Sequence, residues 1–268
     1  MLTSVLTAAA VAYAAIVAFM FFAQRSLMYQ PGQNLASPAD SGLAEMTRVD
    51  LTTDDGLRLQ SWFHAPDAGQ GVVVYFQGNA GHIGDRGFKV RPFLDAGYGV
   101  MLVGYRGYGG NPGSPTEDGL YRDAEAALSH LRAAGHASAA WILFGESLGT
   151  GIAVEMAQRL ATVGTPAGAV ILEAPFSAMG DAAQSHYPWL PAKWLVRDRY
   201  RSIDKIGSIA APLLIYHGDA DRVVPFALGQ RLYAKAGEPK AFVRFEGGHH
   251  SDLYDHGAAA EILRFLVR

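Results

Sequence analysis

The sequence predicts an α/β fold in which a mostly parallel central sheet is flanked by helices, with a short cap insertion and an N-terminal transmembrane helix. Short all-apolar runs alternate with longer stretches of helical periodicity, as in parallel sheets that are covered on both faces. Residues 177–209 interrupt this alternation and are too long for an ordinary loop. The first 24 residues carry no charged side chain, which is unusual outside a membrane.

Composition narrows the class of protein. The chain has 268 residues, of which 50% are hydrophobic and 18% are charged, and this fits one large globular domain better than a disordered chain. A net charge of −3 creates no overall field that would attract nucleic acid, so we expect no nucleic-acid partner. The lack of cysteine excludes disulfides, thiolate metal sites and a cysteine nucleophile. Phosphate-binding loops and a helical zinc motif are also missing, so we expect neither a cofactor nor a metal, and the oligomeric state stays open.

The N-terminal segment is predicted to be a membrane anchor over residues 1–25. Its uncharged run exceeds the roughly 20 apolar residues that cross a bilayer, and three phenylalanines cluster at its far end beside Arg25. A cleaved signal peptide is a weaker interpretation because no positive charge precedes the run, and a helix docked on the domain or on a second subunit is a third. Because Arg25 follows the run and no Lys or Arg precedes it, the positive-inside rule favours a cytoplasmic domain.

The rest of the chain divides into a linker at 26–45, polar and rich in Pro, Gly and Ser, and a folded domain at 46–268. Aromatic residues and arginines are interleaved at 177–209, which we interpret as a small cap over the site, the alternative being a plain surface excursion. The apolar runs predict strands at 48–52, 57–63, 72–76, 98–103, 140–144, 169–172, 213–216 and 242–245, and the periodic stretches predict helices at 85–96, 116–134, 150–160, 225–236 and 258–267.

The pentapeptide G-E-S-L-G at residues 145–149 is the most informative motif. It follows a predicted strand and precedes a predicted helix. A sharp turn between strand and helix holds a serine in a strained backbone conformation with its hydroxyl exposed, and small flanking residues prevent collisions. We therefore predict that Ser147 is a nucleophile. The alternative is a serine that only caps the helix.

A serine hydroxyl is a weak nucleophile at neutral pH, so it needs a base and an acid that orients the base. In this kind of site the expected order is Ser, then Asp or Glu, then His, each after a strand. Asp219 and Asp221 both follow the strand at 213–216. Asp221 is better placed because the loop has left the strand by that point, and Glu173, after the preceding strand, is a third candidate.

The base candidates are His249 and His250, which follow the strand at 242–245 and a pair of glycines. The spacing alone does not separate the two histidines. The charge that develops on a substrate oxygen also needs backbone donors already aimed at it. We expect one donor to be the amide of Leu148, directly after the nucleophile, and the other to be the amide of Asn79, in the turn after the strand at 72–76.

These motifs together resemble the serine-hydrolase branch of the α/β-hydrolase superfamily. More narrowly, the chain is similar to single-pass members with one N-terminal anchor helix, a group that includes protein depalmitoylases and lysophospholipases. The resemblance runs from Tyr29 to the end and rests on residues 77–81 (Q-G-N-A-G), 105–109 (Y-R-G-Y-G), 113–121 (G-S-P-T-E-D-G-L-Y), 145–149 (G-E-S-L-G) and 217–221 (H-G-D-A-D).

The family pattern implies roles for two ambiguous residues and contains one departure. Its acid lies three residues after the glycine of the His-Gly pair, which is Asp221 here, and its base is followed by Asn or Ser and then by Asp-Leu. This pattern favours His250, followed by S-D-L, over His249. The oxyanion turn of the family usually opens with His, whereas this chain has Gln77. A backbone amide is the donor there, so the resemblance still implies a working turn with different local hydrogen bonds.

The resemblance implies a membrane-anchored serine hydrolase that cleaves an ester or thioester of a carboxylic acid, and the anchor and apolar cap suggest an acyl, lipid-like substrate. Cleavage of an amide or peptide by the same residues is a second hypothesis. A non-catalytic membrane-anchored binding module is a third, and the complete set of Ser147, Asp221 and His250 in the required order argues against it.

Overall fold

The structure is a computed structural model that describes residues 1–267, so the last residue of the predicted domain 46–268 lies outside it. The strands of the described chain are β1 Gln30–Pro31, β2 Thr47–Thr52, β3 Arg58–His64, β4 Val72–Phe76, β5 Ala80–Gly81, β6 Gly99–Leu102, β7 Trp141–Glu146, β8 Ala169–Glu173, β9 Leu213–Gly218 and β10 Lys240–Phe245. The α-helices are α1 Leu2–Met28, α2 Gly87–Asp95, α3 Glu117–Ala133, α4 Leu148–Thr162, α5 Met179–His186, α6 Ala192–Leu195, α7 Phe226–Lys235 and α8 Ala258–Leu266.

In the described residues, eight strands form one sheet in the order β10-β9-β8-β7-β4-β6-β3-β2. The strands from β10 to β6 are parallel, and β3 joins β6 and β2 in antiparallel pairs. The predicted α/β fold with a mostly parallel sheet is therefore confirmed. Since β7 lies between β4 and β8, the loops after these strands meet at one edge of the sheet.

Helices cover both faces of the sheet because its central strands are apolar on both sides. Alternate residues of β4 point to opposite faces. Val72 and Val74 belong to the core that also contains buried residues of α3 and α4, whereas Val73 and Tyr75 belong to the core that contains buried residues of α2 and α8. All of β4 is buried, which explains its uninterrupted apolar sequence.

The interval between β8 and β9 contains the two short helices α5 and α6, which pack on each other. The last part of this interval lies within the predicted cap of 177–209 but packs on the body of the domain. Its 3₁₀ turns Ser202–Asp204 and Ile206–Ser208 contact α4. Buried Ile206 fixes this stretch to the body of the domain. We use the name cap for α5, α6 and the chain around them, because residues of both helices line the cavity that Ser147 also lines.

Helix α1 is long and apolar enough to cross a membrane, and none of its residues is buried within the domain. It extends to Met28, past the predicted anchor boundary of residue 25. The predicted linker at 26–45 also differs from the structure. Tyr29 is buried, β1 pairs with β5, and Leu43 is fully buried, so this stretch packs against the domain despite its polar composition.

Candidate active site

Ser147 lies at a sharp turn between β7 and α4 and has φ 50° and ψ −113°, a conformation that L-residues rarely adopt. The turn is possible because glycines on both sides allow the chain to come close to itself. A methyl group on Gly149 would overlap the carbonyl oxygen of Phe76, and one on Gly145 would overlap the backbone at Gly149. The strain therefore depends on tight packing between β7, α4 and the end of β4.

The structure brings Ser147, His250 and Asp221 into one hydrogen-bonded row. Ser147 Oγ lies 3.0 Å from His250 Nε2, and His250 Nδ1 lies 2.7 Å from Asp221 Oδ2. With a neutral ring protonated at Nδ1, His250 donates to Asp221 and accepts from the serine hydroxyl. Each of the three residues follows the carboxyl end of a parallel strand, namely β7, β9 and β10.

The carboxylate of Asp221 is buried and fully hydrogen-bonded. Its Oδ1 accepts from the amides of Val223 and Val224 at 2.7 and 2.9 Å. Burial by itself raises the pKa of Asp221, but the hydrogen bonds from His217 and His250 outweigh it and hold this pKa well below its usual range. Asp221 therefore stays ionised at neutral pH and fixes the ring of His250.

His217 is a contact of Asp221 that the sequence motifs do not reveal. Its Nε2 lies 3.2 Å from Asp221 Oδ2 and 3.0 Å from the carbonyl oxygen of Val224, so this nitrogen carries the proton and donates. The ring is completely buried at the end of β9. The signal was present as the His-Gly pair at 217–218, but only the fold shows that the imidazole turns towards the acid.

The other acid candidates have partners of their own. Asp219 pairs with Arg244 of β10 and accepts from the amide of Gly247 at 2.8 Å, so it braces two loops. Glu173 is buried, with Oε1 2.7 Å from Lys89 Nζ. The geometry thus selects Asp221 as the acid that contacts a histidine near Ser147.

The two candidate bases after β10, His249 and His250, differ in their environment. The side chain of His249 is 61% exposed, and its Nδ1 lies 3.1 Å from Asp252 Oδ2. The side chain of His250 is 17% exposed and contacts Ser147. The geometry therefore favours His250, as does the family pattern.

Leu148 and Asn79 line the same cavity as Ser147. Leu148 is the first residue of α4, where helix amides lack an intrahelical acceptor and favour negative charge. Asn79 is held on two sides, because its side chain donates to the carbonyl oxygen of Met28 at 2.8 Å and its own carbonyl accepts from the amide of Gln30 at 2.9 Å. The turn that is predicted to supply an oxyanion donor is thus bound to the end of α1.

Gln77, which replaces the histidine typical of the family, is fully buried at the start of this turn. Its carbonyl oxygen accepts from Tyr105 Oη at 3.1 Å. Within residues 1–267 its side-chain oxygen and nitrogen make no hydrogen bond. The hydrogen bond at this position is therefore made by the main chain of Gln77. The glutamine side chain does not help to fix the backbone of the turn through a hydrogen bond within residues 1–267.

A mostly buried network of ion pairs lies next to the turn at Ser147. Glu146, the residue before Ser147, lies 2.7 Å from Arg86 Nε and 3.3 Å from Lys89 Nζ, and Lys89 also contacts Glu173. Burial by itself raises the pKa of Glu146, but the charges of Lys89 and Arg86 keep this pKa below its usual value. Arg86 also donates to the carbonyl oxygen of Ala80 at 2.9 Å. The network therefore joins the turn at Ser147 to the turn at residues 77–81.

An apolar cavity of about 260 Å³ reaches Ser147. Its walls come from α1, from the cap and from the loops around Ser147. Among the described residues that line it, none is Asp, Glu, Lys or Arg. They are Met20, Phe21, Gln24, Leu27, Met28, Asn79, Ser147, Leu148, Phe176, Met179, Ala182, Ala183, His186, Tyr187, Leu190, Ala192, Leu195, Val196, Val223 and Val224.

Comparison with known proteins agrees with this fold. A family model described as serine aminopeptidase, S33 matches residues 67–203. An uncharacterized protein of Mycobacterium tuberculosis is 39% identical over 240 residues, which cover 88% of this chain and 84% of that protein. The lysophosphatidylserine lipase ABHD12 of Danio rerio is 30% identical over 279 residues, which cover 88% of this chain and 73% of that protein.

Among solved structures, the Pyrococcus furiosus esterase Pf2001 has a similar fold, with a TM-score of 0.69 and 18% identity over 90% of this chain and 98% of that one. A sheet of this topology with a serine at its strand–helix elbow defines the α/β-hydrolase class. The chain belongs to the serine-hydrolase family of the α/β-hydrolase superfamily that the matching model and relatives represent.

The elbow predicts a large difference between two glycine substitutions. We expect Gly149→Ala to lower the free energy of unfolding by about 3 kcal/mol or more, because the added methyl group collides with backbone that cannot move freely. Gly237→Ala is the matched control, since a methyl group there meets only the carbonyl oxygen of Gly207 at 3.6 Å, and we expect a change within about 0.5 kcal/mol. Urea unfolding of both variants measures the difference, and equal stabilities would contradict the packing described.

The ion network predicts a pH-dependent loss of stability in Lys89→Met. Removal of the ammonium leaves Glu146 and Glu173 buried without it, which we expect to cost about 3–5 kcal/mol at pH 8. In the wild type, the lowered pKa of Glu146 contributes stability that is present above its unfolded pKa of about 4.3 and is lost as the pH falls below it. In the variant a carboxylate can take up a proton, so the cost should be smaller at pH 5 than at pH 8.

Urea unfolding of Lys89→Met and wild type at both pH values measures this difference. Lys235→Met, at an exposed position, serves as the control and should change stability by less than about 0.5 kcal/mol at either pH. A cost for Lys89→Met that is the same at pH 5 and pH 8 would contradict the role given to the network.

Proposed function

We propose that the protein is a membrane-anchored serine hydrolase that cleaves carboxylic ester or thioester bonds of acyl, lipid-like substrates through a Ser147–His250–Asp221 triad. One observation carries the proposal: Ser147 is hydrogen-bonded through His250 to Asp221 and also lines an apolar cavity. A nucleophile with an oriented base and a place for an acyl chain is what acyl transfer to serine requires.

In the first half of the proposed reaction, Ser147 Oγ attacks the acyl carbon while its proton passes to His250 Nε2, 3.0 Å away. The positive charge that forms on His250 is stabilised by Asp221, which stays ionised. The amides of Leu148 and Asn79 bind the oxygen that becomes negative. His250 then gives the proton to the departing alcohol or thiol, and the acyl group remains bonded to Ser147.

In the second half, a water molecule attacks the acyl carbon of the acyl-enzyme. His250 takes one proton from that water and returns it to Ser147 Oγ as the bond to the acyl group breaks. The products are a carboxylic acid and the free enzyme. Asp221 keeps the same hydrogen bond to His250 Nδ1 through both halves.

The substrate class is inferred from the cavity and from the relatives. The cavity is lined almost entirely by apolar side chains from α1 and the cap, which suits a hydrocarbon chain. Its volume of about 260 Å³ lies below the usual range of about 300–1,000 Å³ for ligand pockets, which favours one acyl chain over two. A relative named a lysophosphatidylserine lipase makes a monoacyl phospholipid a reasonable substrate to test.

Aminopeptidase activity, the description of the matching family model, fits this cavity less well. Recognition of a peptide N-terminus requires a group that pairs with its ammonium ion, usually a carboxylate. None of the residues that line the cavity in the described chain is Asp or Glu. We therefore propose ester or thioester cleavage, with amide cleavage as the outcome that would replace it.

Labelling with a fluorophosphonate, which reacts with activated serines, tests the triad. We expect Ser147→Ala to abolish labelling and His250→Ala to slow ester hydrolysis by about 10⁴-fold or more, because the serine loses its base. His249→Ala is the matched control and should retain labelling and turnover, since that ring faces solvent and Asp252. Labelling that survives Ser147→Ala, or that is lost only in His249→Ala, would reverse these assignments.

The substrate class is tested with p-nitrophenyl esters of increasing chain length and with matching anilides. We expect kcat/KM to rise from acetate to octanoate or longer, by up to a few-fold for each buried methylene, because each carbon adds apolar contact in the cavity. The anilides of the same acids should react far more slowly. A preference for acetate would contradict a lipid-like substrate, and faster cleavage of the anilides would favour the amidase alternative.

A further inference from the structure

The stretch of α1 from Tyr13 to Arg25 makes polar contacts with the cap. In chain order, Tyr13 Oη donates to the carbonyl oxygen of Trp189 at 3.0 Å, and Gln24 Nε2 donates to that of Leu195 at 3.3 Å. Arg25 forms a bidentate pair with Asp198 at 2.7 and 2.8 Å. The chain from Trp189 to Asp198 therefore runs alongside α1.

These contacts set the depth of the cap in a bilayer that α1 crosses. Tyr13 and Arg25 are twelve residues apart in one helix, which is about 18 Å along its axis. Half of a bilayer's hydrocarbon core is about 15 Å thick. When Arg25 lies at the membrane interface and α1 is perpendicular to the bilayer, the chain at Trp189 therefore lies about the thickness of one leaflet below that interface.

The side chains of the cap follow the same order. Near Tyr13 the cap exposes Tyr187 and Trp189, and close to Gln24 it exposes Trp194, with 79% of its surface accessible. Near Arg25 it exposes arginines instead, at 197, 199 and 201. Lys193, the charged residue of the stretch 187–195, pairs with Asp181 at 3.1 Å. The exposed side chains therefore change from aromatic over 187–194 to basic over 197–201, and basic side chains suit the membrane interface at which Arg25 would lie.

The cavity that reaches Ser147 lies between these two elements. Met20, Leu27 and Met28 of α1 form one wall, and residues of α5 and α6 form the facing wall. Leu27 and Tyr187 line the cavity and are also exposed, which puts its mouth between α1 and the cap. An anchor that served only to tether the domain would not need to line this cavity.

We propose that the tip of the cap, residues 187–195, is inserted in one leaflet beside α1, and that the cavity takes the acyl chain of a single-chain membrane lipid directly from that leaflet. Both parts rest on the proposed function: the chemical step rests on the triad, and the insertion of the cap rests on the membrane anchor. The acyl chain lies along Met20 to Met28 with its ester at Ser147, so it does not pass through water on its way to the nucleophile.

Intrinsic tryptophan fluorescence tests the insertion in proteoliposomes of the full chain. The four tryptophans are Trp62 and Trp141, which are fully buried in the domain, and Trp189 and Trp194, which are exposed on the cap. Phosphatidylcholine brominated on its acyl chains should quench the wild type, and the quenched component should disappear in Trp189→Phe/Trp194→Phe. Quenching by aqueous acrylamide without quenching by the brominated lipid would overturn the proposal. The single Trp→Phe variants should each lose part of the quenched signal, which keeps the test valid if the double variant folds poorly.

The acyl path is tested by two neighbouring substitutions on α1. Met20→Trp enlarges a side chain that lines the cavity, and Phe19→Trp enlarges one that is 66% exposed and outside it. We expect Met20→Trp to lower the ratio of kcat/KM for a monoacyl phospholipid to that for p-nitrophenyl acetate by about tenfold or more, and Phe19→Trp to leave this ratio unchanged. An equal ratio in the two variants would overturn the acyl path.

The two readouts separate failure of this proposal from failure of the proposed function. Quenching by brominated lipid does not depend on turnover, so its presence in a protein that no fluorophosphonate labels would contradict the catalytic assignment alone. Labelling of Ser147 in a protein that shows no such quenching would contradict the insertion alone.

Discussion

The strained backbone of Ser147 depends on the close approach of β7, α4 and β4, and the rest of the site is arranged around that contact. Its φ of 50° and ψ of −113° lift the hydroxyl above the sheet edge. Because β4, β8 and β9 lie beside or near β7, the turn with Asn79 and the loop with Asp221 reach the same edge, and β10 adds the loop with His250. The parallel sheet thus brings together residues that are up to 171 positions apart in sequence.

Charged side chains and the apolar cavity are separate from each other around the turn at Ser147. Next to the turn, Lys89 and Glu173 are buried, Glu146 and Arg86 are mostly buried, and all four are paired, so opposite charges compensate the cost of removing them from water. The cavity that reaches Ser147 is lined, within the described chain, by no Asp, Glu, Lys or Arg. The only ionised group that reaches the reacting atoms through a hydrogen bond in the proposed mechanism is Asp221, which acts through His250. This separation suits a reaction in which charge develops at one oxygen beside a hydrocarbon chain.

The sequence was sufficient to predict the fold and the candidate triad residues because both leave local patterns. Apolar runs mark buried strands, and G-E-S-L-G marks an elbow. The role of His217, the ion network and the docking of residues 26–45 could not be predicted, since they depend on contacts between distant segments. Spacing could not separate His249 from His250, because only the path of the loop after β10 decides which ring turns towards Ser147. The contact between α1 and the cap was equally hidden, as the apolar composition of α1 indicates a membrane but not a neighbour.

In the proposed reaction Ser147 carries the acyl group while the chain of that group lies along α1. An alkyl fluorophosphonate with a diazirine at the far end of its chain measures both parts at once, by peptide mapping after reaction and illumination of the full chain in proteoliposomes. We expect phosphonylation of Ser147 and crosslinks within residues 20–28 of α1 and 179–196 of the cap. Modification of another residue, or crosslinks that avoid α1 and the cap, would contradict it.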